Sequence, residues 1–438
     1  MKRTVWSALM DWKQDTRRKP LILRGARQTG KTWLMKEFAR LAYNNFVYLN
    51  FEEHQLIKDL FVKDFDISRI LMAIYTFTGI KPEPGKTLII FDEIQEAERG
   101  LTALKYFCEN APEYHVMTAG SLLGIALHPN TSFPVGKVDF LDVHPLTFIE
   151  FLEAMGEDRL VSLMQQQEWE VVILFKTKYI DLLKLYYYVG GLPEAVAVFS
   201  ENRDFDEVRK IQRKILFAYE QDFSKHAPFD IVPRIRMVWN AIPSQLAKEN
   251  RKFVYGLLKQ GARAKEFELA IAWLMDCGLL HKVNRVSKPA LPLKVYEDFT
   301  MFKLFMVDVG LLTAMTALDV KVLLEGNRIF EEFKGALTEQ YVLQQLITDN
   351  NLMVNYWSSE RSDAEIDLLL QYRDRIVPVE VKAAENLHAK SLRFFVQKYR
   401  PAVAVRTSMS DFRKEEWLAN LPLYAVGGLP GFLDKIWI

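Results

Sequence analysis

Gly25-Ala26-Arg27-Gln28-Thr29-Gly30-Lys31-Thr32 follows the apolar run Pro20-Leu21-Ile22-Leu23-Arg24 and precedes a helical pattern over 31–43. This order constrains the chain more than any other feature. A strand, a glycine-bounded loop of this spacing and a Lys-Thr pair opening a helix form an anion cradle. Glycines let the backbone wrap the phosphates, while loop N–H groups and the helix N-terminus supply positive potential. Gly25, Ala26, Arg27, Gln28, Thr29 and Gly30 are therefore expected to form the cradle. Lys31 is expected to reach the β- and γ-phosphates and the Thr32 hydroxyl to bind Mg²⁺, which predicts ATP and Mg²⁺ as cofactors.

The apolar run Thr87-Leu88-Ile89-Ile90-Phe91 ends in Asp92-Glu93, 61 residues beyond Lys31 (92 − 31). Asp92 is expected to hold Mg²⁺ through its water shell, and Glu93 to orient and deprotonate an attacking water, so Glu93 and Lys31 are the candidate catalytic pair. The run 114–119 reads as a third strand ending in Thr118-Ala119-Gly120-Ser121. Ser121 or Thr118 is expected near the γ-phosphate, and a plain strand-ending turn is the alternative. Strands at 46–50, 87–91 and 114–119 alternating with helical runs predict a parallel sheet covered on both faces.

At 438 residues the chain exceeds one ordinary domain, and about 150 residues per domain gives roughly three. Half the chain is hydrophobic and 13% aromatic, which excludes wholesale disorder. The 57 Lys and Arg against 56 Asp and Glu exclude a uniformly basic nucleic-acid coat. Only Cys108 and Cys277 occur, and the seven histidines are scattered, so neither a disulfide scaffold nor a structural zinc is expected. With no long uncharged apolar run, the chain reads as cytoplasmic, with no membrane partner.

Pattern changes divide the remainder. Residues 146–232 read as a helical region broken at Gly190-Gly191-Leu192-Pro193. Residues 233–294 give helical runs followed by a strand-like 279–286, the order of a winged helix-turn-helix. Over 234–294, twelve Lys and Arg oppose four acids, +8 in all. Arg251, Lys252, Lys259, Arg263 and Lys265, with Lys282, Arg285 and Lys288, suit phosphate contacts with duplex DNA. A solvated face or a protein-docking surface fits the same residues.

Residues 295–438 read as a separate α/β domain with strand-like runs at 303–308, 353–358, 366–371, 376–382 and 402–405 and a helical run at 329–348. Asp367 and Glu380 lie on two runs joined by an expected turn at 371–376, and Glu380 and Lys382 share a strand face. With Glu339 from the helix, these carboxylates and the lysine are expected to form a hard-oxygen Mg²⁺ site, an arrangement that resembles the PD-(D/E)XK nuclease fold; a surface hairpin whose alternating charges face water is the alternative. Trp357, Ser358 and Arg361 are candidates for its cleft, with a packed tryptophan beside a loop as the alternative.

The P-loop, the Asp92-Glu93 strand end, Gly136-Lys137, Pro145-Leu146-Thr147-Phe148 and Gly190-Gly191-Leu192-Pro193 together resemble a prokaryotic family of AAA+-like ATPases. Its C-terminal domain has long been catalogued as of unknown function. The resemblance spans essentially the whole chain and implies four parts. These are an AAA+-like P-loop core at 1–145, a helical lid region at 146–232, a winged helix at 233–294 and a PD-(D/E)XK nuclease-like domain at 295–438. Lys137 stands where the family usually has Arg, keeping the charge but not the planar fork that could contact a γ-phosphate. The expected function is a Mg²⁺-dependent ATPase that uses ATP to control a nucleic-acid-binding or nuclease-like C-terminal domain. A nucleotide-switched signalling or binding module, or a remodelling ATPase with a protein partner or a homo-oligomer, is the alternative.

Overall fold

A computed structural model describes residues 1–120, 134–248, 251–325, 331–349, 352–360, 364–385 and 389–436. The chain divides into two compact units, Lys2–His144 with Asp276–Gly278, and Pro145–Met275 with Leu279–Ile438. The architecture is mixed α/β: a parallel N-terminal sheet of the P-loop NTPase kind, a helical region and a mixed C-terminal sheet.

The N-terminal sheet contains β1 (Leu21–Arg24), β2 (Asn45–Asn50), β3 (Thr87–Asp92), β4 (His115–Ala119) and β5 (Asp139–Asp142). Their order is β2-β3-β4-β1-β5 and every pairing is parallel. The unbroken apolar runs have a simple cause. Side chains alternate between faces. Leu88 and Ile90 pack with Leu21, Leu23, Leu34 and Phe38, while Ile89 and Phe91 pack with Ile22, Val47, Leu49 and Phe107. Both faces are thus buried, and each such side chain contributes about 2 kcal/mol. β5 escaped the sequence reading because Asp-Phe-Leu-Asp carries charge at both ends. It is an edge strand, and its Asp142 accepts a two-pronged contact from Arg24 at 2.9 and 2.8 Å.

Residues 146–232 are predominantly helical, as expected. Thr147 and Glu150 form a capping box that starts the helix Phe148–Ala154. The Gly190-Gly191-Leu192-Pro193 break has a packing reason. The Leu146 N–H donates to the Gly191 carbonyl at 2.6 Å, and a Cβ on Gly191 would overlap the Leu146 carbonyl oxygen. The buried Asp308 carboxylate accepts from the Gly191 N–H at 2.6 Å, the Leu311 N–H at 3.1 Å and the Gln344 amide at 3.0 Å. Pro193 then opens the helix Pro193–Asn202, where its missing N–H costs nothing. Two of the motifs that carried the family resemblance therefore meet in one tight backbone crossing.

The second sheet has eight strands in the order β12-β13-β11-β10-β9-β8-β6-β7. They are β6 (Leu280–Val286), β7 (Glu297–Met306), β8 (Leu352–Ser358), β9 (Glu365–Tyr372), β10 (Arg375–Val381), β11 (Ala404–Ser408), β12 (Arg413–Lys414) and β13 (Leu418–Pro422). The strand expected as a wing is β6. It pairs antiparallel with β7 and parallel with β8, so the boundary placed at 294/295 falls inside a hairpin of the larger sheet. The β9–β10 turn is shorter than expected, with only Arg373-Asp374 between the strands. Strand propensity carries pairing almost to the turn, and Arg373 takes the left-handed conformation such tight turns need, at φ 53°.

Candidate functional site

β4 lies between β1 and β3, so the loop after β1 and the acidic end of β3 open on the same C-terminal sheet edge. Gly25 has φ 147°, and a Cβ there would overlap the Val143 carbonyl oxygen, so only glycine fits. Gly30 caps the helix Lys31–Ala42. Lys31 is 9% exposed, and its Nζ donates to the carbonyl oxygens of Gly25 and Ala26 at 2.9 and 2.7 Å. Thr29 Oγ1 donates to the Ala26 carbonyl at 3.0 Å, which tightens the loop from inside.

The Thr32 hydroxyl donates to Asp92 Oδ2 at 2.8 Å, and the Tyr48 hydroxyl donates to the same oxygen at 2.9 Å. Asp92 Oδ1 is buried with no hydrogen-bond partner among the described residues. An orphaned carboxylate oxygen beside a threonine hydroxyl, next to a phosphate cradle, is the donor set a Mg²⁺–nucleotide complex requires. The residues present fit the ion. Glu93 follows in the left-handed conformation at φ 50°, which costs a non-glycine residue about 1–2 kcal/mol. The Gln95 amide donates to its carboxylate. Burial pushes the Glu93 carboxyl up and the Asp92 charge adds to this, against the Gln95 hydrogen bond and the Arg27 and Lys31 charges. Burial likewise lowers Lys31 to about 8, although Glu93 and Asp92 oppose it.

Thr118 sits in register with Phe91 of β3 and Ile22 of β1, and its hydroxyl is buried without a partner among the described residues. Ser121 lies outside the described residues, as does Arg361. Lys137 does not join the phosphate edge. Its Nζ, shortly before β5, pairs with Glu109 Oε1 at 2.9 Å, and Glu109 lies in the last turn of the helix Gly100–Asn110 that leads into β4. Both residues precede the N-terminal ends of their strands, the opposite sheet edge from the P-loop. Sequence reasoning missed Tyr48 and Arg3. The buried Arg3 guanidinium donates to the Thr29 carbonyl at 3.0 Å and to the His144 carbonyl, tying the loop to the chain after β5. No spacing rule links residues 3 and 29; only the fold does.

Family profiles place this geometry. The profile described as "AAA domain" matches residues 17–152. Residues 17–152 are thus similar to AAA domains of the P-loop kind. A profile described as "Domain of unknown function (DUF8612)" matches 180–321, and one described as "Domain of unknown function (DUF4143)" matches 334–426. No curated protein matches the chain. Among solved structures, the Walker-type ATPase PABY2304 of Pyrococcus abyssi shares 14% identity at a TM-score of 0.47, covering 72% of this chain and 95% of its own. The Orc1 protein of Aeropyrum pernix, solved in complex with DNA, shares 14% identity at a TM-score of 0.26, covering 72% and 90%. At those TM-scores neither neighbour adds to what the AAA profile and the site geometry establish.

In the second unit, the β9–β10 register sets Val379 opposite Leu368, so the next pair along is Glu380 and Asp367. Asp367 Oδ2 accepts from the Val381 N–H at 2.8 Å, and Lys382 Nζ pairs with Glu380 Oε1 at 2.6 Å. Glu339, buried on the helix Glu331–Leu346, joins the cluster, with Glu365 at its rim. The four predicted residues do come together. They do not stand free, however. Lys303, fully buried on β7, lies 3.6 Å from Glu339 Oε2 and 2.8 Å from Glu365 Oε1, and the Arg251 guanidinium pairs with Glu339 Oε1. Burial pushes Asp367 well above the carboxylate range, and the Glu339 and Glu380 charges add to it. Burial also favours a protonated Glu339, but Arg251 and Lys303 outweigh it and hold this carboxyl low. Among the described residues, no group of three or more His, Cys, Asp or Glu is placed to hold a metal ion. Glu339, Asp367 and Glu380 as they stand therefore do not fit the expected Mg²⁺ site, because the chain's own cations fill it.

Two of the basic residues assigned to DNA point elsewhere. Arg251 faces Glu339, while Arg285 pairs with Asp298 at 3.4 Å and donates to the Ser358 carbonyl at 3.0 Å. Lys282 stands over the Phe302 ring. Lys259, Arg263 and Lys265 are exposed around the start of the helix Ala264–Asp276. Trp357 is packed against Phe395 and Tyr399 rather than lining a cleft. No helix among the described residues is long and apolar enough to cross a membrane.

Proposed function

We propose that the chain is a Mg²⁺-dependent ATP hydrolase whose nucleotide state controls a nucleic-acid-binding C-terminal unit. The observation that carries the first half is the convergence of the P-loop, Thr32, Asp92 and Glu93 on one sheet edge. In this reading Lys31 leaves the Gly25 and Ala26 carbonyls for the β- and γ-phosphates, while Thr32 and Asp92 hold Mg²⁺, which neutralises developing phosphate charge. Glu93 holds a water in line with the γ-phosphorus. As the water oxygen bonds to phosphorus, the bond to the β-phosphate oxygen breaks and Glu93 takes the proton. A raised Glu93 carboxyl is better matched to that proton than an ordinary carboxylate. Thr118, unpartnered at the same edge, contacts the γ-phosphate.

The exposed Lys259, Arg263 and Lys265 support phosphate contacts by the second unit. A carboxylate cluster filled by internal cations favours binding over cleavage. Lys31→Ala should abolish nucleotide binding, whereas Glu93→Gln should keep binding and lose about 10²–10⁴-fold in turnover. Unchanged ATP turnover in either variant refutes the assignment. ATPase rates with and without duplex DNA test the second half, since an identical rate across a salt series removes nucleic acid as the controlling partner.

A further inference from the structure

The chain builds a seat for Arg251 beside the carboxylate cluster. Two residues on, the Phe253 N–H donates to the Phe302 carbonyl at 2.9 Å and its ring stacks on Phe302, next to Lys303. Val254 is held by both ends of the Gln245 amide, each bond 2.9 Å. Arg251 itself takes the left-handed conformation at φ 50°, an uncommon state for a residue with a Cβ. Across from it, Gly335 lies one helical turn before Glu339 on the same face. A Cβ on Gly335 would come within 2.6 Å of Arg251 Nη2. The missing side chain is therefore a notch through which the guanidinium reaches the Glu339 carboxylate. In the same cluster, Glu380 is 6% exposed and its Oε2 has no hydrogen-bond partner among the described residues.

We propose that Arg251 is a built-in counter-cation that keeps the Glu339–Asp367–Glu380 cluster closed to divalent metal ions, and that moving it out of the Gly335 notch opens a Mg²⁺ or Mn²⁺ site there. The cluster holds four carboxylates, counting Glu365, against the three cations Arg251, Lys303 and Lys382. Lys303 is fully buried on a central stretch of β7, and Lys382 lies on the β10 side beside Glu380. Arg251, outside helix and sheet, is the cation that can leave without unpicking the sheet. Withdrawal leaves the Glu339 charge opposed by Lys303 alone and frees one of its oxygens in the cluster that also holds the unpartnered Glu380 Oε2, hard oxygen atoms from a helix and a strand.

This inference rests on the reading of the cluster as the working site of the second unit, but it is tested without ATP or nucleic acid. Mn²⁺ binding to the nucleotide-free 438-residue chain is followed by the loss of the free-ion electron paramagnetic resonance signal. Arg251→Met removes the guanidinium outright at similar length, while Gly335→Leu fills the notch without deleting a charge, and leucine suits a helix. Arg251→Met should gain one Mn²⁺ site per chain, at least about tenfold tighter than any cluster site in the wild type, which is 1.4 kcal/mol. Arg251→Met with Glu380→Gln should lose it again. Gly335→Leu should show the same gain, and it decides if Arg251→Met fails to fold. A Glu380-dependent Mn²⁺ site already present in the wild type at equal affinity overturns the proposal, as does the absence of any gain in a folded Arg251→Met or, failing that, Gly335→Leu chain. A gain of metal with no effect of DNA on ATP turnover leaves the closure standing and removes the nucleic-acid reading instead.

Discussion

Raising the pH should weaken ATP binding through one proton on Lys31. In the nucleotide-free chain burial brings this ammonium from 10.5 down to about 8, and its protons point at two loop carbonyls. A bound polyphosphate sets several negative charges against Nζ and favours the charged form, so the complex keeps a proton that the free protein gives up. Above pH 8 binding must then take up one proton, and the apparent Kd rises about tenfold per pH unit. At pH 9 ATP should bind about tenfold more weakly than at pH 7, a loss of about 1.4 kcal/mol. Stability runs the other way. Between pH 8 and 10.5 the unfolded chain holds the Lys31 proton while the folded chain has released it, so the nucleotide-free fold gains stability as pH rises through that window. The gain is at most about 3 kcal/mol (10.5 − 8 = 2.5 units at 1.36 kcal/mol each), and it is absent below pH 8. Calorimetric titration of ATP at saturating Mg²⁺, in buffers of different ionisation enthalpy, measures both the affinity and the proton taken up. Lys31→Arg, always charged, is the control expected to show a flat profile. A wild-type Kd that stays within twofold between pH 7 and 9, with no proton uptake, refutes the account of Lys31.

Two further outcomes follow from contacts already described. Tyr48→Phe removes the second donor to Asp92 Oδ2, and because that bond goes to a carboxylate it should cost about 1.5 kcal/mol, seen as a roughly tenfold rise in the Mg²⁺ concentration needed for half-maximal turnover. Gly191→Ala pushes a methyl group into the Leu146 backbone and should destabilise the second unit by about 1–3 kcal/mol, read from the urea midpoint; an unchanged midpoint would mean the crossing can open at no cost.

Much of the N-terminal half could be read directly from residue order. The loop, its flanking strand and helix, and Asp92-Glu93 at a strand end are local patterns, and local patterns are what a sequence displays. β5 was hidden because its two aspartates interrupt the apolar signal, and they do so because an edge strand needs only one protected side. In the C-terminal half the carboxylates were legible by spacing, since two positions on paired strands sum to a constant in antiparallel register. The sheet that contains them was not, because β6 and β8 pair in parallel across 65 intervening residues (352 − 286 − 1).

The sequence by itself determined that this chain carries a P-loop with its acidic partners, and that four charged residues near the C-terminus belong together. Only the tertiary structure decided what state those charges are in. Arg251 reads as one of eight basic residues suited to DNA, and nothing in its neighbours distinguishes it from Lys259 or Arg263. It differs from them because a helix from another part of the chain presents a carboxylate and, one turn earlier, a missing side chain. The cost of burying an unpaired charge then fixes its direction. Composition records how many charges a chain has; the fold selects which pairs exclude water, and so which remain available to a ligand.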